Sequence, residues 1–76
     1  MDLFNRVKSV ISQLFIYDGV LCMETRIAED LGADSFDYTK LMSYLEEEFE
    51  IEISPDEFNE VKNLGDIVSL VEKKAA

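Results

Sequence analysis

Apolar residues recur every three or four positions along much of this 76-residue chain, a spacing typical of helices that bury one face. It predicts a first helix from Asp2 to about Phe15 and a second from Ser35 to about Phe49. The buried positions would be Leu3, Val7, Val10, Ile11 and Leu14 in the first helix and Tyr38, Leu41, Met42, Leu45 and Phe49 in the second. The opposite face of the second helix would carry Phe36, Lys40, Ser43 and Glu47.

Helix-start signals set the positions of the remaining helices. Asp34 is a predicted N-cap of the second helix, and Asp37 adds negative charge to its first turn. The run from Ser54 to Glu57 combines an N-cap serine, a proline and a capping-box glutamate, and therefore predicts a short third helix. That helix would turn Phe58 and Val61 inward.

The same logic predicts a fourth helix near the C-terminus. Asn63 and Asp66 are its start signal, and it should continue to about Lys74. Its buried residues would be Leu64, Ile67, Val68 and Val71, while Ala75 and Ala76 are expected to fray.

The sequence thus predicts an all-α, four-helix bundle with three longer helices, one short third helix and a long first loop. The loop, residues 16–33, should be tied to the core through Leu21, Ile27 and Leu31. Residues 51–53 alternate like a strand, but they lack a partner and are predicted to be an extended connector. We expect one domain, residues 1–76, since so short a chain supports a single core.

The charge of the chain constrains its partners. Asp and Glu number 17 against 7 Lys and Arg, which gives a net charge of −10. Nucleic acid is a poor partner for such a surface, whereas basic protein surfaces are complementary to it. The acidic side chains could also serve only to keep the protein soluble.

The location of the protein is predicted from absences in the sequence. There is no signal-peptide pattern, no apolar run long enough to insert into a membrane, and one cysteine, which cannot form an internal disulfide. We therefore expect a cytoplasmic protein. Cys22 should be a loop residue packed against the core.

An enzyme is disfavoured by the residue types that are missing. Without histidine the chain cannot build a Ser–His or Cys–His pair or a common zinc site, and no phosphate-binding glycine loop is present. A small hydrolase using Asp34 or Asp37 as base would lack a second catalytic group.

One segment carries a specific signal. The run Glu29-Asp30-Leu31-Gly32-Ala33-Asp34-Ser35-Phe36-Asp37 resembles the attachment motif of acyl carrier proteins, and Leu45-Glu46-Glu47-Glu48-Phe49 resembles their second helix. The resemblance extends over nearly the whole chain. It implies that Ser35 is esterified by 4′-phosphopantetheine, taken from coenzyme A by a separate phosphopantetheinyl transferase. The arm would then carry acyl intermediates as thioesters to enzymes of fatty acid or polyketide-type synthesis. A carrier that must visit many partners is most simply a monomer. Considered alone, Ser35 could equally be an ordinary helix-start serine.

The resemblance also implies a partner surface and an acyl pocket. Basic patches on the transferase and on acyl-processing enzymes would meet Asp34, Phe36, Asp37, Lys40, Glu46, Glu47 and Glu48. Lys40 departs from the acidic residue usual at its position, which leaves the identity of the cognate enzymes open. Part of the acyl chain would lie among Met42, Leu45, Ile53, Val61 and Val68, between the second and third helices. The competing hypothesis is an unmodified acidic helical adaptor that binds a basic partner through the second helix.

Overall fold

The computed structural model describes residues 2–75 and has four α-helices, as the sequence predicts. They are α1 (Leu3–Leu14), α2 (Ser35–Phe49), α3 (Pro55–Asn59) and α4 (Leu64–Ala75). No strand forms among the described residues, where one isolated bridge joins Arg26 to Asn63. The all-α prediction is therefore confirmed, and residues 51–53 are an extended connector. Ala75, which was expected to fray, belongs to α4, and Ala76 lies outside the described residues.

The helices bury the apolar faces that their spacing predicts. The buried core consists of Val7, Val10, Ile11, Ile27, Leu41, Leu45, Ile53, Phe58, Val61, Leu64, Ile67, Val68 and Val71. Partly buried residues, among them Tyr38, Met42 and Phe49, pack around it. Burial of this apolar surface is the main stabilising contribution to so small a fold.

Reciprocal side-chain caps fix the starts of α3 and α4. At α3, the Glu57 backbone N–H donates to Ser54 Oγ (3.2 Å) and the Ser54 N–H donates to Glu57 Oε1 (3.1 Å). At α4, the Asp66 N–H donates to Asn63 Oδ1 (2.8 Å) and the Asn63 N–H donates to Asp66 Oδ2 (3.2 Å). Both caps use donors that would otherwise lack intrahelical partners.

The long loop before α2 is hydrogen-bonded to the α3–α4 connection and to the first residue of α4. The N–H of Ile27 donates to the Lys62 carbonyl (3.0 Å), and the N–H of Leu64 donates to the Thr25 carbonyl (3.1 Å). At the end of the loop, Gly32 has a φ of 70°, which a glycine adopts without steric cost. These contacts hold the loop in place as it leads into α2.

Cys22 corrects one prediction about this loop. It was expected to pack against the core, but its side chain is exposed. The adjacent residue Leu21 is half-buried against the core instead. The backbone N–H of Cys22 donates to the hydroxyl of the buried Thr25 (2.9 Å), so Thr25 holds this turn from the inside.

Candidate functional site

Ser35 is the first residue of α2, and its side chain is exposed. The helix begins there because Asp34 and Asp37 form a reciprocal cap. The N–H of Asp37 donates to Asp34 Oδ1 (2.9 Å), and the N–H of Asp34 donates to Asp37 Oδ2 (3.1 Å). Two carboxylates therefore flank the hydroxyl of Ser35.

The start of α2 also suits an anion attached to that hydroxyl. The cap uses the Asp37 N–H, and the Tyr38 N–H donates to the Asp34 carbonyl (3.0 Å). The amides of Ser35 and Phe36 are then the first-turn donors without an intrahelical acceptor, at the positive end of a 15-residue helix. A phosphodiester on Ser35 would meet these amides, so the residues present fit phosphopantetheine.

A cavity of about 610 Å³ opens beside Ser35, bounded by α2, α3 and the end of the long loop. It is lined by Ala28, Ala33, Asp34, Ser35, Tyr38, Thr39, Met42, Pro55, Phe58, Asn59, Val61 and Lys62. Its volume falls within the range of about 300–1,000 Å³ usual for small-molecule sites.

The lining differs from the set expected from the sequence. Of the five residues expected to form an acyl pocket, Met42 and Val61 line this cavity, whereas Leu45, Ile53 and Val68 lie in the core and do not line it. These three side chains are buried on the inner side of the bundle, where they fill the space between helices. Spacing along the chain identified them as apolar and inward-facing, but it could not separate the core from a cavity wall.

Two aromatic rings form part of the wall that the sequence did not predict. The rings of Tyr38 and Phe58 lie edge to face, with centroids 5.7 Å apart at 73°. Burial, with a smaller contribution from the Glu29 carboxylate, raises the pKa of Tyr38 above its usual value. The phenol is therefore neutral at physiological pH and adds a hydrogen-bond donor to a mostly apolar wall.

Two of the acidic side chains predicted to meet a partner, Glu46 and Glu48, make contacts within the protein. Glu46 is half-buried, and its Oε2 accepts the backbone N–H of Ile53 (2.8 Å), which ties the connector to α2. Glu48 Oε2 lies 3.1 Å from Arg6 Nη2, and Arg6 also donates to the Glu48 carbonyl (2.9 Å). The two contacts join residues that are 7 and 42 positions apart, so the spacing of residues along the sequence did not predict them.

The other residues of the predicted partner surface lie at or near the outside. Phe36 is 82% exposed, Lys40 and Glu47 are exposed, and Asp37 is half-buried. Glu47 also lines a shallow groove of about 300 Å³ between α1 and α2. The exposed phenylalanine ring therefore lies at the start of α2, next in sequence to Ser35 and Asp37.

Among residues 2–75, no helix has the length and apolar content needed to cross a membrane.

Comparisons with known proteins agree with this geometry. A family model described as "Phosphopantetheine attachment site" matches residues 23–71, a stretch that includes Ser35. An acyl carrier protein of Campylobacter fetus is 40% identical over 73 residues, which cover 95% of this chain and 95% of that protein. An acyl carrier protein of Thermotoga maritima is 36% identical over 74 residues, which cover 96% of this chain and 91% of that protein.

The fold has a close match among solved structures. A structure described as that of an acyl carrier protein from Mycobacterium tuberculosis superposes with a TM-score of 0.87 at 26% identity. The match covers 95% of this chain and 97% of that one.

Proposed function

The chain belongs to the acyl carrier protein family, whose prosthetic group is phosphopantetheine, and from this premise we propose that Ser35 is the residue that carries the group. The observation that carries the proposal is the position of Ser35, exposed at the first turn of α2 and beside the cavity. When bound, the arm supplies a thiol that holds acyl groups as thioesters. Asp34 and Asp37 keep the helix start in shape around the serine.

The cavity beside Ser35 is the proposed shelter for part of the acyl chain. The aliphatic and aromatic side chains of Met42, Phe58 and Val61 supply its apolar lining, which would keep a hydrocarbon chain out of water. Tyr38 packs edge to face against Phe58 and would thereby limit the width of the cavity. This replaces the set of five pocket residues expected from the sequence with those that line the cavity.

Membership of the family implies partnership with a phosphopantetheinyl transferase and with acyl-processing enzymes. We further propose that these enzymes dock on the surface formed by Asp34, Phe36, Asp37 and Glu47, through Lys or Arg side chains around an apolar contact. Lys40 lies on the same exposed face and would disfavour partners selected for a wholly acidic surface. Glu48 would contribute less, since Arg6 already pairs with its carboxylate. Glu46 would contribute less because it is half-buried and its carboxylate faces the connector.

Acyl carrier proteins are carriers, not catalysts. For this chain we propose the same: separate enzymes of fatty acid or polyketide-type synthesis act on its cargo. A cytoplasmic monomer fits the proposal, because a carrier must detach to visit successive enzymes and its single cysteine forms no internal disulfide.

Intact-mass spectrometry tests the assignment of Ser35. The chain is incubated with coenzyme A, Mg²⁺ and a bacterial phosphopantetheinyl transferase, alongside Ser35→Ala and the matched control Ser43→Ala. Wild type and Ser43→Ala should each gain the mass of one arm, and Ser35→Ala should gain none. An unchanged wild-type mass would favour the unmodified adaptor, and an arm on Ser35→Ala would move the attachment to another residue.

A further inference from the structure

The long loop presents an apolar surface that lies outside α2. We call it the loop patch and define it as Ile16, Tyr17, Val20 and Met23. Their exposed fractions are 101% for Ile16, 85% for Val20, 41% for Met23 and 38% for Tyr17. Single exposed apolar residues are ordinary, but four large ones within so short a segment make it a candidate docking surface.

Hydrogen bonds hold the segment that carries the loop patch. Cys22 donates its backbone N–H to Thr25 Oγ1 (2.9 Å), and the N–H of Gly65 in α4 donates to the Met23 carbonyl (2.9 Å). Leu21, which precedes Cys22, packs against the core. The loop patch is therefore tethered to the bundle at its C-terminal end.

The ring of Tyr17 shapes the middle of the loop patch. It lies directly over Gly19, where a Cβ would come within 2.6 Å of the ring. The ring of Tyr17 thus packs over the residues that follow it in the loop, while Ile16 and Val20 face solvent.

The charge around the loop patch indicates the partner. Asp18 and Glu24 lie within the segment, and no Lys or Arg occurs between Lys8 and Arg26. Arg26 is itself paired with Glu29 (2.8 Å). The border is therefore negative. A second copy of the chain, with net charge −10, would bring like charges together, and an anionic bilayer would be repelled in the same way.

We propose that the loop patch is a second docking surface, taken by an acyl-processing enzyme whose own surface offers an apolar slot bordered by Lys or Arg. The inference rests on the proposed function, because such enzymes are the partners of a carrier. It adds a contact that the α2 surface does not make. Enzymes that use both surfaces would distinguish this carrier from others with a polar loop.

Calorimetric titration of the apo protein tests the proposal, with the β-ketoacyl synthase of Campylobacter fetus fatty acid synthesis as probe. The double variant Ile16→Ser/Val20→Ser is compared with the control Ser9→Asn/Ser12→Asn on the exposed side of α1. The loop-patch variant should bind at least about tenfold more weakly, as for loss of an interface anchor, and the control within about twofold of wild type. Equal affinity for all three proteins, or no binding of wild type, overturns the proposal.

Two further measurements separate this result from other causes. Both variants should be modified by the transferase at the wild-type rate. If Ser35 of the wild type accepts no arm, the proposed function fails, while the apo binding comparison still decides the loop patch. Sedimentation should show monomers and no binding to phosphatidylcholine vesicles. Self-association or vesicle binding that the double variant abolishes would contradict an enzyme partner.

Discussion

Replacement of Glu46 by alanine tests whether this carboxylate is a structural tether. Its Oε2 accepts the Ile53 backbone N–H at 2.8 Å in a part-buried setting, and Ile53 is 5% exposed. Removing the acceptor leaves that N–H without its partner, which costs about 1–3 kcal/mol when a donor is left unsatisfied. For a chain of this size, each kcal/mol lowers the melting temperature by about 4–8 °C.

Glu47→Ala is the matched control for that measurement. The two variants remove the same charge from adjacent positions of α2, so relief of the −10 net charge affects both equally. Glu47 is exposed, and its truncation should change the free energy of unfolding by no more than about 0.5 kcal/mol. Urea unfolding followed by circular dichroism gives both values. A loss below about 0.5 kcal/mol for Glu46→Ala, or equal losses for the two variants, would refute the tether.

Three other outcomes are expected. Leu45 is fully buried, so Leu45→Ala should lower the free energy of unfolding by about 2–5 kcal/mol in urea, and a loss under about 1 kcal/mol would contradict its core position. The hydrogen bond from the Lys74 ammonium, with that from the Ser54 amide, lowers the pKa of Glu57 from 4.5 to about 2. Its stabilising effect is then complete above pH 4.5 and lost as pH falls through about 2, so the stability gap between wild type and Glu57→Gln should shrink over that window; a constant gap would contradict it. Phe36→Ala should slow modification by the transferase without changing the melting temperature, while the exposed control Ser12→Ala on α1 should leave the rate unchanged; equal rates would remove Phe36 from the docking surface.

Features that depend on neighbouring residues could be predicted from the sequence. The cap at Ser54 and the helical phase of Leu45 each follow from residues within one or two turns, and both are confirmed. The attachment motif around Ser35 is equally local.

The remaining features depend on which distant side chains meet. In the sequence, Glu46 and Glu48 have no evident partner. In the fold, Glu46 accepts the Ile53 backbone N–H and Glu48 pairs with Arg6. The cavity could not be separated from the core for the same reason, since its walls come from α2, α3 and the loop. Cys22 was predicted to pack against the core, but it is exposed. The adjacent Leu21 packs there instead.

Peptide fragmentation of the modified protein shows which residue carries the prosthetic group that we propose on Ser35. After treatment with coenzyme A and a phosphopantetheinyl transferase, the protein is digested and the arm is located by tandem mass spectrometry. We predict that all of the added mass lies on Ser35. Detection of the arm on Ser43, Ser54 or any other residue, with Ser35 unmodified, would contradict the account.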